Sequence, residues 1–179
     1  MVKARCPVLG FAAYSGTGKT TLLVQLLPRL RAAGLRVSMV KHAHHRFEID
    51  YPGKDSYELR KAGASQMLIT SSRRWALVTD LDDEHDAVLQ EALDRLDQGQ
   101  ADLILVEGFK HEHFPKIELY RPAVGSPLIF PDDPNVIAIA TDAPLPRPAT
   151  LPVLDLNDVD AIADFVRQFL ISAQPSGAT

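Results

Sequence analysis

Residues 13–20 read Ala13-Tyr14-Ser15-Gly16-Thr17-Gly18-Lys19-Thr20, and Thr21-Leu22-Leu23 follow at once. An apolar stretch, 7–13, precedes the run. Behind it Leu22, Leu23, Leu26, Leu27 and Leu30 recur at helical spacing. A buried strand, a glycine-rich turn and an amphipathic helix in that order make one half of a wound α/β unit. The turn itself has the form Ala/Gly-x-x-x-x-Gly-Lys-Thr, a phosphate-binding loop with Ala13 in place of the first glycine. Its backbone N–H groups can wrap a phosphate, and the helix N-terminus adds partial positive charge there. In that role Ser15, Gly16, Thr17, Gly18, Lys19, Thr20 and Thr21 contact a nucleotide. Lys19 reaches the β- and γ-phosphates, and the Thr20 hydroxyl ligates Mg²⁺. Alanine fits the first position if its φ is negative.

The rest of the chain continues the alternation. Gly34 stops the first helix, and Pro28 predicts a kink within it, since the ring lacks an N–H and crowds the carbonyl of Val24. Residues 35–40 read as a strand. Asp55 is expected as an N-cap paired with Glu58, opening a short helix that turns Leu59 and Ala62 inward and ends at Gly63. Residues 66–70 and 74–79 read as strands around Ser71-Ser72-Arg73. Residues 83–97 read as a helix with Leu89, Ala92, Leu93 and Leu96 on one face. Residues 103–106 and 136–140 are unbroken apolar runs, as strands buried on both faces are. Ile162, Phe165, Val166, Phe169 and Leu170 stripe a last helix capped by Asn157 or Asp158, and the proline-rich stretch 143–152 reads as a surface loop.

The expected fold is therefore α/β, a doubly wound and mainly parallel sheet flanked by helices, with ligands at the carboxyl ends of its strands. One domain is expected over 1–172, with an extended β ribbon inserted at about 111–131 and a flexible tail at 173–179. Within the ribbon, Ile117, Leu119, Leu128 and Phe130 alternate with polar or small neighbours. So small a ribbon needs its apolar face covered, and a second copy of the chain is the simplest cover.

A net charge of −4 leaves no basic excess for a nucleic-acid backbone. Cys6 is the single cysteine, which fits a reducing cytoplasm, and no apolar run is long enough to span a membrane.

Three further clusters belong at strand ends. Glu107 closes Leu103-Ile104-Leu105-Val106, where a carboxylate can hold Mg²⁺ or polarise an attacking water; the plain alternative is a surface acid. Thr141-Asp142 closes the run 136–140. A carboxylate there can accept from guanine N1–H and its amino group, a donor pair that adenine lacks; alternatively Asp142 only begins a turn before Pro144. Lys41, His42, His44 and His45 end the strand 35–40. They suit anion or partner contact better than a dedicated metal site, because no cysteine cluster or paired-histidine helix accompanies them.

Three stretches together are more specific than the loop. Lys41-His42-Ala43-His44-His45, the run from Tyr51-Pro52-Gly53-Lys54-Asp55 to Gly63-Ala64, and Asp102-Leu103-Ile104-Leu105-Val106-Glu107-Gly108-Phe109-Lys110-His111-Glu112 closely resemble the molybdopterin-guanine dinucleotide biosynthesis protein B (MobB) family. Ser72-Arg73-Arg74-Trp75 and Thr141-Asp142-Ala143-Pro144 fit the same pattern. The resemblance implies a homodimeric GTP-binding accessory protein with weak GTPase activity, Lys19 and Glu107 serving hydrolysis and Mg²⁺ as cofactor. It also implies as partners molybdopterin and the guanylyltransferase, protein A of the same pathway, which joins GMP to it. Other classes remain open from the residues alone: a small-molecule kinase, for which Arg73 and Arg74 are the lid candidates, a GTP-dependent metallochaperone using the histidines, or an adaptor whose nucleotide is structural.

Overall fold

Val8–Ala12 and Leu103–Glu107 are apolar along nearly their whole length, so neither has a side suited to water. The computed structural model, which describes residues 2–43, 47–81 and 86–173, makes them neighbours at the centre of a parallel sheet. The strands are β1 (Val8–Ala12), β2 (Val37–Lys41), β3 (Gln66–Thr70), β4 (Trp75–Thr79), β5 (Leu103–Glu107), β6 (Lys116–Tyr120), β7 (Val136–Thr141) and β8 (Val153–Asp155). The helices are α1 (Lys19–Ala32), α2 (Asp55–Lys61), α3 (Leu89–Asp94) and α4 (Val159–Ala173). The described residues fall into two compact units, a larger within Met1–His42 and Ala87–Thr179 and a smaller within Ala43–Asp86.

The larger unit carries the six-stranded sheet, in the order β2-β5-β1-β6-β7-β8, every pair parallel. All its strands therefore present their carboxyl ends along one edge, the doubly wound arrangement expected from the sequence. Side chains alternate between two faces. Leu9 and Phe11 of β1 join Leu22, Leu23, Leu26 and Leu30 of α1 and Ile162, Val166 and Leu170 of α4. Val8 joins Ile104, Val106, Leu89, Leu93, Phe109 and Phe114 on the opposite face. Complete burial of each such leucine is worth about 1.5–3 kcal/mol, which holds both layers of helix against the sheet. Arg29 adds an ion pair from α1 to Asp160 of α4 at 2.6 Å.

Several local expectations are corrected. The stretch 116–120 is no ribbon: β6 lies inside the sheet between β1 and β7, with Lys116 and Glu118 each 1% exposed. Residues 128–130 are not a strand, because the amides of Ile129 and Phe130 donate instead to the Glu118 carboxylate, each at 2.7 Å. α1 runs on through Pro28 without interruption. α3 is shorter than 83–97: Val88 is extended, and only Leu89 and Leu93 find a buried place on it; residues 82–85 lie outside the described set. β8 had no counterpart in the sequence reading. The Asp158 cap holds, with its Oδ1 accepting from Ala161 N at 2.9 Å. The tail expected after 173 lies outside the described residues.

The smaller unit packs α2 beside an antiparallel ribbon of β3 and β4, paired from Gln66↔Thr79 to Thr70↔Trp75. α2 starts one residue earlier than expected. Lys54 is its N-cap, and Glu58 reaches back to the Gly53 amide at 3.0 Å. Leu59 is exposed, and the buried member of α2 is Arg60, whose guanidinium is held by Glu48 and Asp80. Leu68, Trp75 and Leu77 of the ribbon are exposed. No helix among the described residues is long and apolar enough to cross a membrane.

Candidate nucleotide site

The carboxyl edge of the sheet gathers the residues that the sequence singled out. β1 passes into α1 through the phosphate-binding loop. Gly16 (φ 81°) and Gly18 (φ 96°) are both left-handed there, conformations that a side chain disfavours. Ala13 is not among the residues of positive φ, so the alanine fits its position without strain. Thr17 is buried and closes the loop by donating from Oγ1 to the Tyr14 carbonyl at 2.8 Å. Lys19 lies across the loop, its Nζ donating to the Ala13 carbonyl at 3.0 Å. Burial holds its ammonium below the ordinary lysine pKa; Glu107 works the other way, and Lys110 and Lys41 push it further down. A phosphate beside that amine would relieve the deficit of negative charge.

Glu107 stands at the end of β5, next to β1. Its Oε1 is 3.5 Å from the Thr20 hydroxyl and its Oε2 is 3.5 Å from Lys41 Nζ. Hydroxyl and carboxylate so close together suit a magnesium ion, which takes one or two protein oxygens and fills its shell with water and phosphate. Thr20 and Glu107 would hold it, and its charge would neutralise the phosphates. Among the described residues no three His, Cys, Asp or Glu side chains gather as a self-sufficient metal site.

The chain leaves Glu107 by a tight, strained turn. Gly108 has φ 95°, and a Cβ on it would stand 2.7 Å from His42 Cβ. Phe109 follows at φ 53°, and its ring stacks on His42 at 4.8 Å between centroids. His42 thus packs against the turn that carries the acid, and its own N–H donates to the Glu107 carbonyl at 2.9 Å. His44 and His45 lie outside the described residues.

On the other side of β1, the ends of β6 and β7 meet. Arg121 donates from Nε to the Thr17 carbonyl at 3.0 Å, and its Nη1 pairs with Asp142. The Thr141 hydroxyl is committed to the turn, donating to the Ala143 carbonyl at 2.8 Å. It fixes the backbone that carries Asp142. The structure therefore brings Lys19, Thr20, Glu107 and Lys41 together, and ties Asp142 to the loop through Arg121. Arg73 and Arg74 sit in the smaller unit, at the turn between β3 and β4.

Sequence reasoning missed Arg121 and Lys110. Each follows a strand end on this edge, and a cation just past a strand end was the available signal.

The family described as molybdopterin guanine dinucleotide synthesis protein B matches residues 8–142. A molybdopterin-guanine dinucleotide biosynthesis adapter protein of Escherichia coli (strain K12) is 52% identical over 169 residues, spanning 94% of this chain and 95% of that protein. The protein of the same description from Haemophilus influenzae is 44% identical, over 92% of this chain and 89% of its own. A crystal structure of molybdopterin-guanine biosynthesis protein B superposes with a TM-score of 0.69 at 25% identity, covering 90% of this chain and 99% of that one.

Proposed function

The chain belongs to the molybdopterin guanine dinucleotide synthesis protein B family, and from that membership we propose that it is a GTP-binding adapter in the synthesis of molybdopterin guanine dinucleotide. The observation that carries the reading is the cluster at the carboxyl edge. Lys19, the Thr20 hydroxyl and the Glu107 carboxylate stand around one loop at a helix N-terminus, a place that suits phosphate. Asp142 reads the guanine base, with Thr141 fixing its turn and Arg121 as the group that the base must share it with. Thr20 and Glu107 would hold Mg²⁺, which would neutralise phosphate charge. Hydrolysis to GDP is a weak activity served by Lys19 and Glu107.

The partners are molybdopterin and the guanylyltransferase of the pathway, and the compartment is the cytoplasm. The chain works as a homodimer, in which the ribbon of β3 and β4 meets its copy. A two-stranded ribbon that still exposes Leu68, Trp75 and Leu77 supports that contact better than β6, whose apolar side chains are already covered.

Calorimetry with GTP and ATP tests the nucleotide reading. The parent should prefer GTP, and Lys19→Ala should lose tight binding while staying folded. Asp142→Ala should erase most of the preference, which stays below the about 1.5–3 kcal/mol of hydrogen bonds to a charged acceptor because Arg121 competes for the carboxylate. Equal affinity of parent and Lys19→Ala for GTP would sink the loop assignment, and equal parent affinity for ATP would remove the role of Asp142.

A further inference from the structure

The larger unit holds a cleft of about 320 Å³ that the nucleotide reading leaves unused. Its walls come from three places: Tyr14 of the phosphate-binding loop, Lys110, His111 and His113 after β5, and the stretch 127–134 between β6 and β7. The volume lies at the lower end of small-molecule sites, about 300–1,000 Å³. Its lining is sorted by chemistry.

Three basic side chains come from one short loop. Lys110 has no carboxylate partner among the described residues; its Nζ sits 4.9 Å from the centre of the Tyr14 ring. His113 is anchored at one ring nitrogen. Asn135 Nδ2 donates to Asp133 Oδ1 at 2.7 Å. The same Nδ2 lies 3.3 Å from His113 Nδ1, which ties the ring to the wall and leaves Nε2 for a ligand.

Of the two carboxylates in the wall, Asp133 is already spent. Its Oδ2 accepts from the buried Lys116 ammonium at 2.8 Å, and its Oδ1 accepts from the Asn135 amide at 2.9 Å. That pairing leaves Lys110 as the cation of the wall without a carboxylate partner, and Asp132 as one free acceptor, among the described residues. Leu128, Ile129 and the Tyr14 ring supply flat apolar surface beside these groups.

We propose that this cleft binds a second ligand, a phosphate monoester carried on a flat polar heterocycle. Lys110, His111 and His113 meet the phosphate, the ring lies against Tyr14 and Leu128, and Asp132 accepts from its N–H groups. Because Tyr14 belongs to the phosphate-binding loop, this ligand sits beside the nucleotide. The inference deepens the adapter reading, in which a pterin compound is a pathway partner, and rests on it for that adjacency alone.

The test is calorimetry on the full chain with neopterin monophosphate as probe, alone and with a nonhydrolysable GTP analogue at saturation. Neopterin and inorganic phosphate are the controls. The probe should bind in both conditions and more tightly than either control. Lys110→Ala and His113→Ala should each weaken it by about tenfold or more, as loss of a charge-assisted contact does, while His113→Ala keeps GTP affinity within about twofold. Lys19→Ala should lose GTP and keep the probe, which separates failure of this site from failure of the nucleotide reading. No probe binding, displacement of the probe by GTP, or a control binding as tightly as the probe overturns the proposal.

Discussion

Replacing Asp133 by asparagine should destabilise the larger unit far more than a change of one surface acid normally does. Lys116 sits in an interior strand with its side chain 1% exposed, and its charge is answered by Asp133, 16% exposed, and by the Glu112 carbonyl. Removing one member of such a buried pair costs about 3–5 kcal/mol, because the other charge is left in a poor solvent. The partial exposure of Asp133 and the remaining carbonyl place this case at about 3 kcal/mol. With a urea m-value of about 2–3 kcal/mol per M, the midpoint should fall by roughly 1–1.5 M. Circular dichroism is the suitable probe, since α1 and α4 have 14 and 15 residues against 7 in α2; Trp75 reports on the smaller unit. Lys116→Met in the same chain should restore most of the loss, because an unbranched apolar stem can fill the space beside Phe114 and Gly10 without a charge. Acid should narrow the gap. Burial alone would raise the Asp133 pKa, but hydrogen bonds from Lys116 and Asn135 outweigh it and hold the carboxyl below its ordinary value. A depressed folded-state pKa stabilises above the unfolded value, about 3.9, and that stability is lost as pH falls through the folded one. Parent and Asp133→Asn should therefore begin to converge below about pH 4 and meet only once the pH is under the depressed folded-state pKa. A midpoint shift under about 0.3 M, or one independent of pH, would refute the argument.

Gly108→Ala should cost about 2–3 kcal/mol and weaken GTP binding in calorimetry, since it combines a left-handed φ with a 2.7 Å approach to His42 Cβ in the turn that carries Glu107. Glu107→Gln should lower Mg²⁺-dependent phosphate release by about tenfold or more and GTP affinity by much less, because the loop amides supply most of the ground-state binding; an unchanged release rate demotes the residue. Leu77→Asp in the ribbon should convert a dimer to a monomer in light scattering at micromolar concentration, and a parent that is already monomeric removes the dimer.

What was legible in the sequence was contiguous in it. Strand, loop and helix from Val8 to Ala32 interact with their own neighbours, so spacing alone located Gly16, Gly18, Lys19 and Thr20. The unbroken apolar runs of β5 and β7 declared burial on both faces. β6 defeated the same logic. Lys116-Ile117-Glu118-Leu119 alternates as a half-exposed strand does, and the sequence reading gave its polar side to solvent and its apolar side to a second chain. The polar side is buried instead. Lys116 is answered by Asp133, 17 residues on, and Glu118 by the amides of Ile129 and Phe130, 11 and 12 residues on. No local periodicity reports a partner at that distance. α2 misled in the same way: Leu59 was expected inward, but Arg60 is the buried residue, and its two acids lie 12 and 20 residues off.

The buried charges of β6 also connect fold to site. A parallel strand with Lys and Glu on one face is poorly covered by an apolar helix. The stretch after the single helical turn at Pro122–Val124 folds over that face, drawn down by Glu118 through two amides and by Lys116 through Asp133. Glu118 accomplishes this although burial pushes its carboxyl pKa up, because the two amides favour the charged form and offset part of that cost. The same covering segment lines the cleft beside Tyr14, and the strand that anchors it is followed directly by Arg121, which reaches both Thr17 and Asp142. A polar strand that looked like a surface is thus what holds one wall of the site, and the acid proposed to read the base is presented already paired. Any selectivity for guanine is then a difference between two partners of Asp142, the base and Arg121, and is smaller than the hydrogen bonds to the base alone would give.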